Sequence, residues 1–234
     1  MNNDNEKRLV WDLPLRLFHW LLAISFVALW ATAELGYDYM QYHFWLGYWM
    51  IGLLIFRVLW GFVGPRHARF ASFFPTPKRV STYLSTMLKG PGLPTIGHNP
   101  LGGMMVFVML ILLALQVVTG LFATDDIIWE GPYRVAVSNS TADDLASIHH
   151  FNINLLWTAV GLHVTAIAYY WWWKKQNLVV PMITGKKSAN VVPISEAIKD
   201  SALIRALIII VISAACVYGI LEFAPEPPAD EYYY

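Results

Sequence analysis

The residues of this chain with most chemistry to offer are its seven histidines, and three of them fall in one run, SIHHFNINLLWTAVGLHVTAI, at 147–167. The rest of that run is apolar and helix-like. An ionisable side chain at membrane depth is expensive, so each such histidine either bonds a neighbouring helix or serves a function. His149 and His163 are 14 residues apart. On a helix that separation leaves two side chains about 40° apart around the axis and roughly 21 Å apart along it. His150 is turned about 140° away from His163 by the same geometry. His149 therefore shares a groove with His163. His150 reads first as an interfacial or loop-contacting residue and second as an alternative ligand.

The elements that carry these residues are set by composition. The chain has 234 residues, 57% hydrophobic and 14% charged. A soluble domain of this size carries about a quarter charged residues, so the shortfall points to a membrane protein. Crossing the hydrocarbon takes about 20 helical residues. Five apolar runs qualify, at about 14–33, 43–63, 101–122, 148–172 and 203–223. Lipid offers no partner to backbone amides, which makes each run a helix. Pro14 suits a helix's first turn. The loop at 64–100 carries an amphipathic surface helix near 77–88, and the acidic loop at 123–147 holds turn chemistry at SNSTADD. Asp125 and Asp126 there are candidates for capping or docking, and the tail APEPPADEYYY reads as disordered. Cys216, the one cysteine, excludes an intrachain disulfide and reads as a small buried hydrophobe.

Basic residues alternate with acidic ones from loop to loop. Lys7, Arg8 and Arg16 lead into the first run. Arg66, Arg69, Lys78, Arg79 and Lys89 follow the second, and Lys174, Lys175, Lys186, Lys187, Lys199 and Arg205 follow the fourth. The other connections hold Glu34, Asp38, Glu130, Asp143 and Asp144 with Arg134 as their one cation. By the positive-inside rule the N-terminus is cytoplasmic and the C-terminus is outside. The N-terminus lacks the form of a cleaved signal.

Depth then pairs the histidines. His43 and His149 open the second and fourth runs at their outer ends, while His19 and His163 lie in the cytoplasmic halves of the first and fourth. Zinc sites commonly add a thiolate or carboxylate, and no acid lies in the runs that carry these histidines. A proton relay wants acids as well. Two haems, each gripped by two imidazoles between helices, fit best. Gly47, Gly52, Gly102, Gly103, Gly120, Gly161 and Ala166 would let a bulky ring approach, and also suit plain helix packing. Arg57 lies within the second run with no acid near it in sequence. A haem propionate would pair it, or it would snorkel to the headgroups. Arg16, Arg66 and Arg69 are further candidates on that side. His67 reads as a loop histidine. His98 and Asn99 in GHNP could meet a propionate or a quinone carbonyl, though helix-start chemistry also explains Asn99 and Pro100. Gln116 and Thr119 suit helix–helix hydrogen bonds.

The stretches VWDLPLRLFHW, HFWLGYWMIGLLIFRVLWGFVGPRHARF, GHNPLGG, LQVVTGLFATDD and HHFNINLLWTAVGLH resemble the bacterial cytochrome b561 and nickel–iron hydrogenase cytochrome b family, over about 9–185. The resemblance implies a four-helix transmembrane core with two haems b, carrying electrons between a partner and the quinone pool. It implies His19 paired with His163 and His43 with His149 as axial ligands. The family usually has an acid after the first ligand of the fourth helix, where this chain has His150.

The expectation is thus an all-α integral membrane protein: a haem-binding four-helix bundle at 1–190, then a fifth helix and tail at 191–234. It is expected in a bacterial inner membrane, with a quinone and a periplasmic c-type cytochrome or hydrogenase as partners. Nucleic acid is not expected, and a homodimer is compatible. Electron carrier is preferred to self-contained enzyme, because no P-loop, dinucleotide fingerprint or nucleophile triad is present. The alternatives are a superoxide- or small-molecule-oxidising quinone reductase on the same scaffold, and a haem-free transporter.

Overall fold

The computed structural model describes residues 6–87, 95–124 and 128–226. The expectations for Lys89, Asp125, Asp126 and the end of the tail fall outside these residues. In chain order the elements are β1 (Lys7–Leu9), α1 (Leu13–Glu34), α2 (Met40–Val63), the single turn α3 (Phe70–Phe73) and α4 (Pro77–Met87). Then come α5 (Pro100–Gly120), α6 (Asn139–Trp172), α7 (Val179–Thr184), β2 (Lys186–Ser188) and α8 (Leu203–Glu222). Among the described residues, α1, α2, α5, α6 and α8 are long and apolar enough to cross a membrane. The protein is an all-α, multi-pass membrane protein.

Local chemistry sets the helix ends. Asp12 Oδ1 accepts the Leu15 N–H at 2.8 Å, so Asp12 caps α1 and Pro14 falls in the first turn, where a missing N–H costs nothing. Asn99 Oδ1 accepts the Gly102 N–H at 2.7 Å and caps α5 in the same way, with Pro100 as its first residue. Helix α6 starts well before the apolar run does. Ser138 Oγ accepts the Thr141 N–H at 3.3 Å, so the polar SNSTADD stretch caps α6 and forms its first turns. Gly185, with φ of +81°, ends α7 in the left-handed region that glycine tolerates best.

Contacts divide the chain into two compact units. The first comprises residues 1–21, 56–109 and 158–209. Here β1 and β2 pair antiparallel with Arg8 opposite Lys187. Its core holds Val10, Trp11, Phe18, Phe56, Trp60, Ala68 and Val192. Phe56 and Trp60 stack with ring centres 5.6 Å apart. The second comprises residues 22–55, 110–157 and 210–234. In it Phe26 and Trp30 both pack edge-on against Trp157, and Trp49 Nε1 donates to Ser25 Oγ at 3.0 Å.

Much of the remaining apolar surface is exposed. On α8, Ile204, Leu207 and Val211 are 80%, 62% and 61% accessible, which a membrane lipid would cover and water would not tolerate over so long a face. Helix α8 is held by a narrow stripe, with Ala206, Ile209 and Ser213 buried. Cys216, two turns after the buried Ile209, is nonetheless exposed, so the expectation of a buried cysteine is corrected. On a lipid-facing surface a thiol still meets an apolar medium, which is why its sequence context alone looked like a core.

Candidate functional site

Four histidines meet as two pairs. In the first unit α1 and α6 bring His19 and His163 together with ring centres 6.4 Å apart and planes at 53°. In the second, α2 and α6 bring His43 and His149 to the same 6.4 Å, with planes at 76°. Two imidazoles facing each other across one metal, with metal–nitrogen bonds of about 2 Å, have ring centres roughly 6 Å apart. Rotation between the planes is no obstacle, because both planes contain the metal–nitrogen axis.

The His43–His149 pair is oriented from behind. His43 Nδ1 lies 2.9 Å from the Leu29 carbonyl oxygen, and His149 Nδ1 lies 3.0 Å from that of Gln116. A carbonyl can only accept, so each Nδ1 donates and each Nε2 keeps its lone pair for a ligand bond. Gln116 Nε2 also donates to the His149 carbonyl oxygen at 3.1 Å, and Asn152 Nδ2 donates to Gln116 Oε1 at 2.7 Å. Thr119 Oγ1 comes within 3.3 Å of His149 Nδ1. Gln116 and Thr119 thus support a histidine as well as tying helices together, and Asn152, which the sequence did not single out, braces Gln116. The ring of His150 stands at 88° to that of His149. It is His149 that faces His43.

The His19–His163 pair is less tethered: His19 Nδ1 is buried without a protein partner. Arg16, one turn before His19, gives one N–H to the Ile183 carbonyl oxygen while its Nε is buried and unpartnered. Arg66 is taken by Glu196 at 2.7 Å. Arg57 is 2% exposed, donates to the Ala68 carbonyl oxygen at 3.3 Å, and lies 4.6 Å from the centre of the Phe70 ring. It is also within electrostatic range of Asp12. The sequence showed no acid near Arg57 because the chain supplies one from 45 positions upstream. Asp12 and Trp60, which donates to Asp12 Oδ1 at 3.0 Å, are the residues that reading missed. The helix-capping pattern WDLP was the available signal.

His67 Nε2 bonds the Glu196 carbonyl oxygen at 2.8 Å, as suits a loop histidine. The His98 ring sits 4.8 Å from Trp11 and 4.4 Å from Phe73, with its Nδ1 buried and unpartnered. Burial, then the charges of Arg57 and Lys187, lower its pKa to about 3, so it is neutral at physiological pH. His98 is within electrostatic range of His163. The glycines divide by role. A Cβ on Gly47, one turn along α2 from His43, would meet nothing within 4 Å, which leaves room for a flat group beside that histidine. Gly52 instead faces Val217, and Gly103 faces the Phe73 backbone, both as plain packing.

Among the described residues no three His, Cys, Asp or Glu side chains gather as a metal site. Each pair therefore offers two nitrogens. That donor set fits a metal that brings its other four donors with it, as haem iron does.

Comparison with known proteins decides the family. The family model for prokaryotic cytochrome b561 matches residues 10–185. The chain belongs to the prokaryotic cytochrome b561 family. It is a membrane b-type cytochrome that works in electron transfer. It is similar to a probable Ni/Fe-hydrogenase B-type cytochrome subunit of Azotobacter chroococcum mcd 1, 28% identical over 75% of this chain and 86% of that one. A protein of the same description from Rhizobium leguminosarum bv. viciae is 25% identical over 79% of this chain and 90% of its own length. The one from Azotobacter vinelandii is 28% identical over 75% and 86%. No solved structure matches the chain.

Proposed function

We propose that this b561-family cytochrome binds two haems b, one on His43 and His149 and one on His19 and His163, and passes electrons between a periplasmic redox protein and the quinone pool. The observation that carries this reading is the equal 6.4 Å spacing of the two imidazole pairs. When bound, each haem would supply a one-electron redox couple, tuned by the imidazoles that hold it and by their hydrogen bonds. The chain's own residues hold and orient. The carbonyls of Leu29 and Gln116 fix two of the imidazoles in the tautomer that exposes Nε2. Arg16, with its unpartnered Nε one turn from His19, is the residue we assign to a propionate of that pair's haem. Arg57 lies within electrostatic range of Asp12.

In this reading the membrane is a bacterial inner membrane, with the N-terminus cytoplasmic and the C-terminus periplasmic. The alternation of basic and acidic loops supports that direction. The acids Glu34, Asp38, Glu130, Asp143 and Asp144 then face the periplasm. They suit a basic protein partner and would repel a small anion such as superoxide. The names of the similar proteins support a hydrogenase as that partner. A quinone meets the cytoplasmic-side pair near His98, whose neutral ring can hydrogen-bond a quinone carbonyl.

The deciding experiment is a pyridine haemochrome assay with a reduced-minus-oxidised spectrum of the purified protein. Two haems b per chain are expected. One haem removes half the scheme, and none rejects it in favour of a transporter. A finer check uses Gly120, where an added Cβ would come within 3.0 Å of His149 Cε1. Gly120→Ala should move one of two midpoint potentials in a redox titration and leave the other in place. Movement of both, or of neither, would argue against separate sites.

A further inference from the structure

Outside the histidine pairs, the first unit holds a cavity of about 540 Å³ between α4 and the start of α5. Its floor is Phe73, His98 and Pro100, and its mouth carries Lys78, Arg79 and Thr82. Phe73 is buried, while the mouth residues and Phe74 beside them are exposed. We propose that the mouth of this cavity binds the phosphodiester of an anionic phospholipid.

Two observations converge. Lys78 and Arg79 occupy the first turn of α4, where the helix dipole is positive and disfavours cations. Among the described residues the ion pairs are Arg8–Glu6 and Arg66–Glu196, so neither mouth cation is neutralised by an acid. An anion seated there offsets both the paired positive charges and the helix end. Next, α4 is amphipathic, with Val80, Tyr83, Leu84 and Met87 at helical spacing and Ser81, Thr82, Ser85 and Thr86 on the other side. Such a helix lies in the headgroup plane of a bilayer. Phe74 is 53% exposed and Leu84 39% exposed, offering apolar surface for acyl chains next to the cations. The shared chemistry of the ligand is a phosphate anion. The apolar surface around the mouth assigns it to a lipid and not to free phosphate. The inference does not depend on a quinone reaching the floor.

The test is native mass spectrometry of the full-length protein released from nanodiscs of phosphatidylcholine with and without phosphatidylglycerol. Phosphatidylglycerol should be retained in preference to phosphatidylcholine. The double variant Lys78→Gln, Arg79→Gln should bind it on the order of 30-fold more weakly, from two lost charges near the membrane surface, with the haem spectrum unchanged. The charge-conserving pair Lys78→Arg, Arg79→Lys should restore retention. Equal retention of both lipids, full retention by the double Gln variant, or failure of the charge-conserving pair overturns the proposal. So does displacement of the lipid by inorganic phosphate, which would make this a free-anion site. Displacement by a short-chain quinone analogue would make mouth and floor one quinone site, and would equally overturn it.

Discussion

His149→Ala is expected to halve the haem content of the purified protein, from two haems per chain to one, while His150→Ala leaves both. The two residues are adjacent, have the same side chain and sit in the same helix, so composition cannot separate them. Geometry can. The His149 ring faces His43 at 6.4 Å and is held by the Gln116 carbonyl oxygen behind it. Helical geometry turns the next residue about 100° around the axis. Alanine at 149 leaves His43 as a lone ligand, and a haem held by one imidazole loses half of its axial bonding. His163→Ala should remove the other haem, because its partner His19 stands in the same relation to it. The measurement is haem per chain by pyridine haemochrome, with difference spectra to show which component is lost. Loss of haem in His150→Ala with retention in His149→Ala would sink the assignment.

Asp12→Ala is expected to destabilise the protein by several kcal/mol. Asp12 is fully buried. It caps α1 through Leu15, and loss of a cap costs about 1 kcal/mol. It also accepts from Trp60, which is itself fully buried, and leaving that N–H unpartnered costs about 1–3 kcal/mol. Arg57 would then keep its buried charge without a nearby acid, adding to the loss. Burial pushes the Asp12 carboxyl above its usual range, opposed by the Leu15 and Trp60 bonds and by Arg57. Asp12→Asn should therefore cost less than alanine: the amide oxygen can still serve Leu15 and Trp60, and it removes a charge that burial penalises. The readout is the thermal unfolding midpoint in detergent, followed by haem absorbance. A midpoint unchanged in Asp12→Ala would show that the cap and the Trp60 bond contribute little.

Five spans, their approximate limits, the helix starts at Pro14 and Pro100, the surface helix now seen as α4 and the presence of four histidines on spanning helices were all legible in the chain itself. Each depends on near neighbours: hydropathy over a window, a capping residue beside its helix, or side chains at a fixed angular spacing along one helix. SNSTADD shows the limit of that reading, since the same residues serve a loop turn or a helix cap until the following backbone is known. Spacing also favoured His149 over His150, by way of His163 on the same helix.

Contacts between distant segments were another matter. Asp12 and Arg57 are 45 positions apart, and nothing local marks one as lying within the other's electrostatic reach. Gln116 and Asn152 brace His149 only because α5 lies against α6 in the second unit. Cys216 is exposed although it stands two turns after the buried Ile209, and an evenly apolar helix does not announce which of its positions will be covered. The sequence by itself thus determined which segments enter the membrane and which imidazoles lie at membrane depth, because transfer into hydrocarbon is a property of each segment alone. Only tertiary structure decided what stands behind each histidine, which arginine keeps an unpartnered nitrogen and where the cationic cavity opens, because those depend on side chains from separate helices arriving at one place.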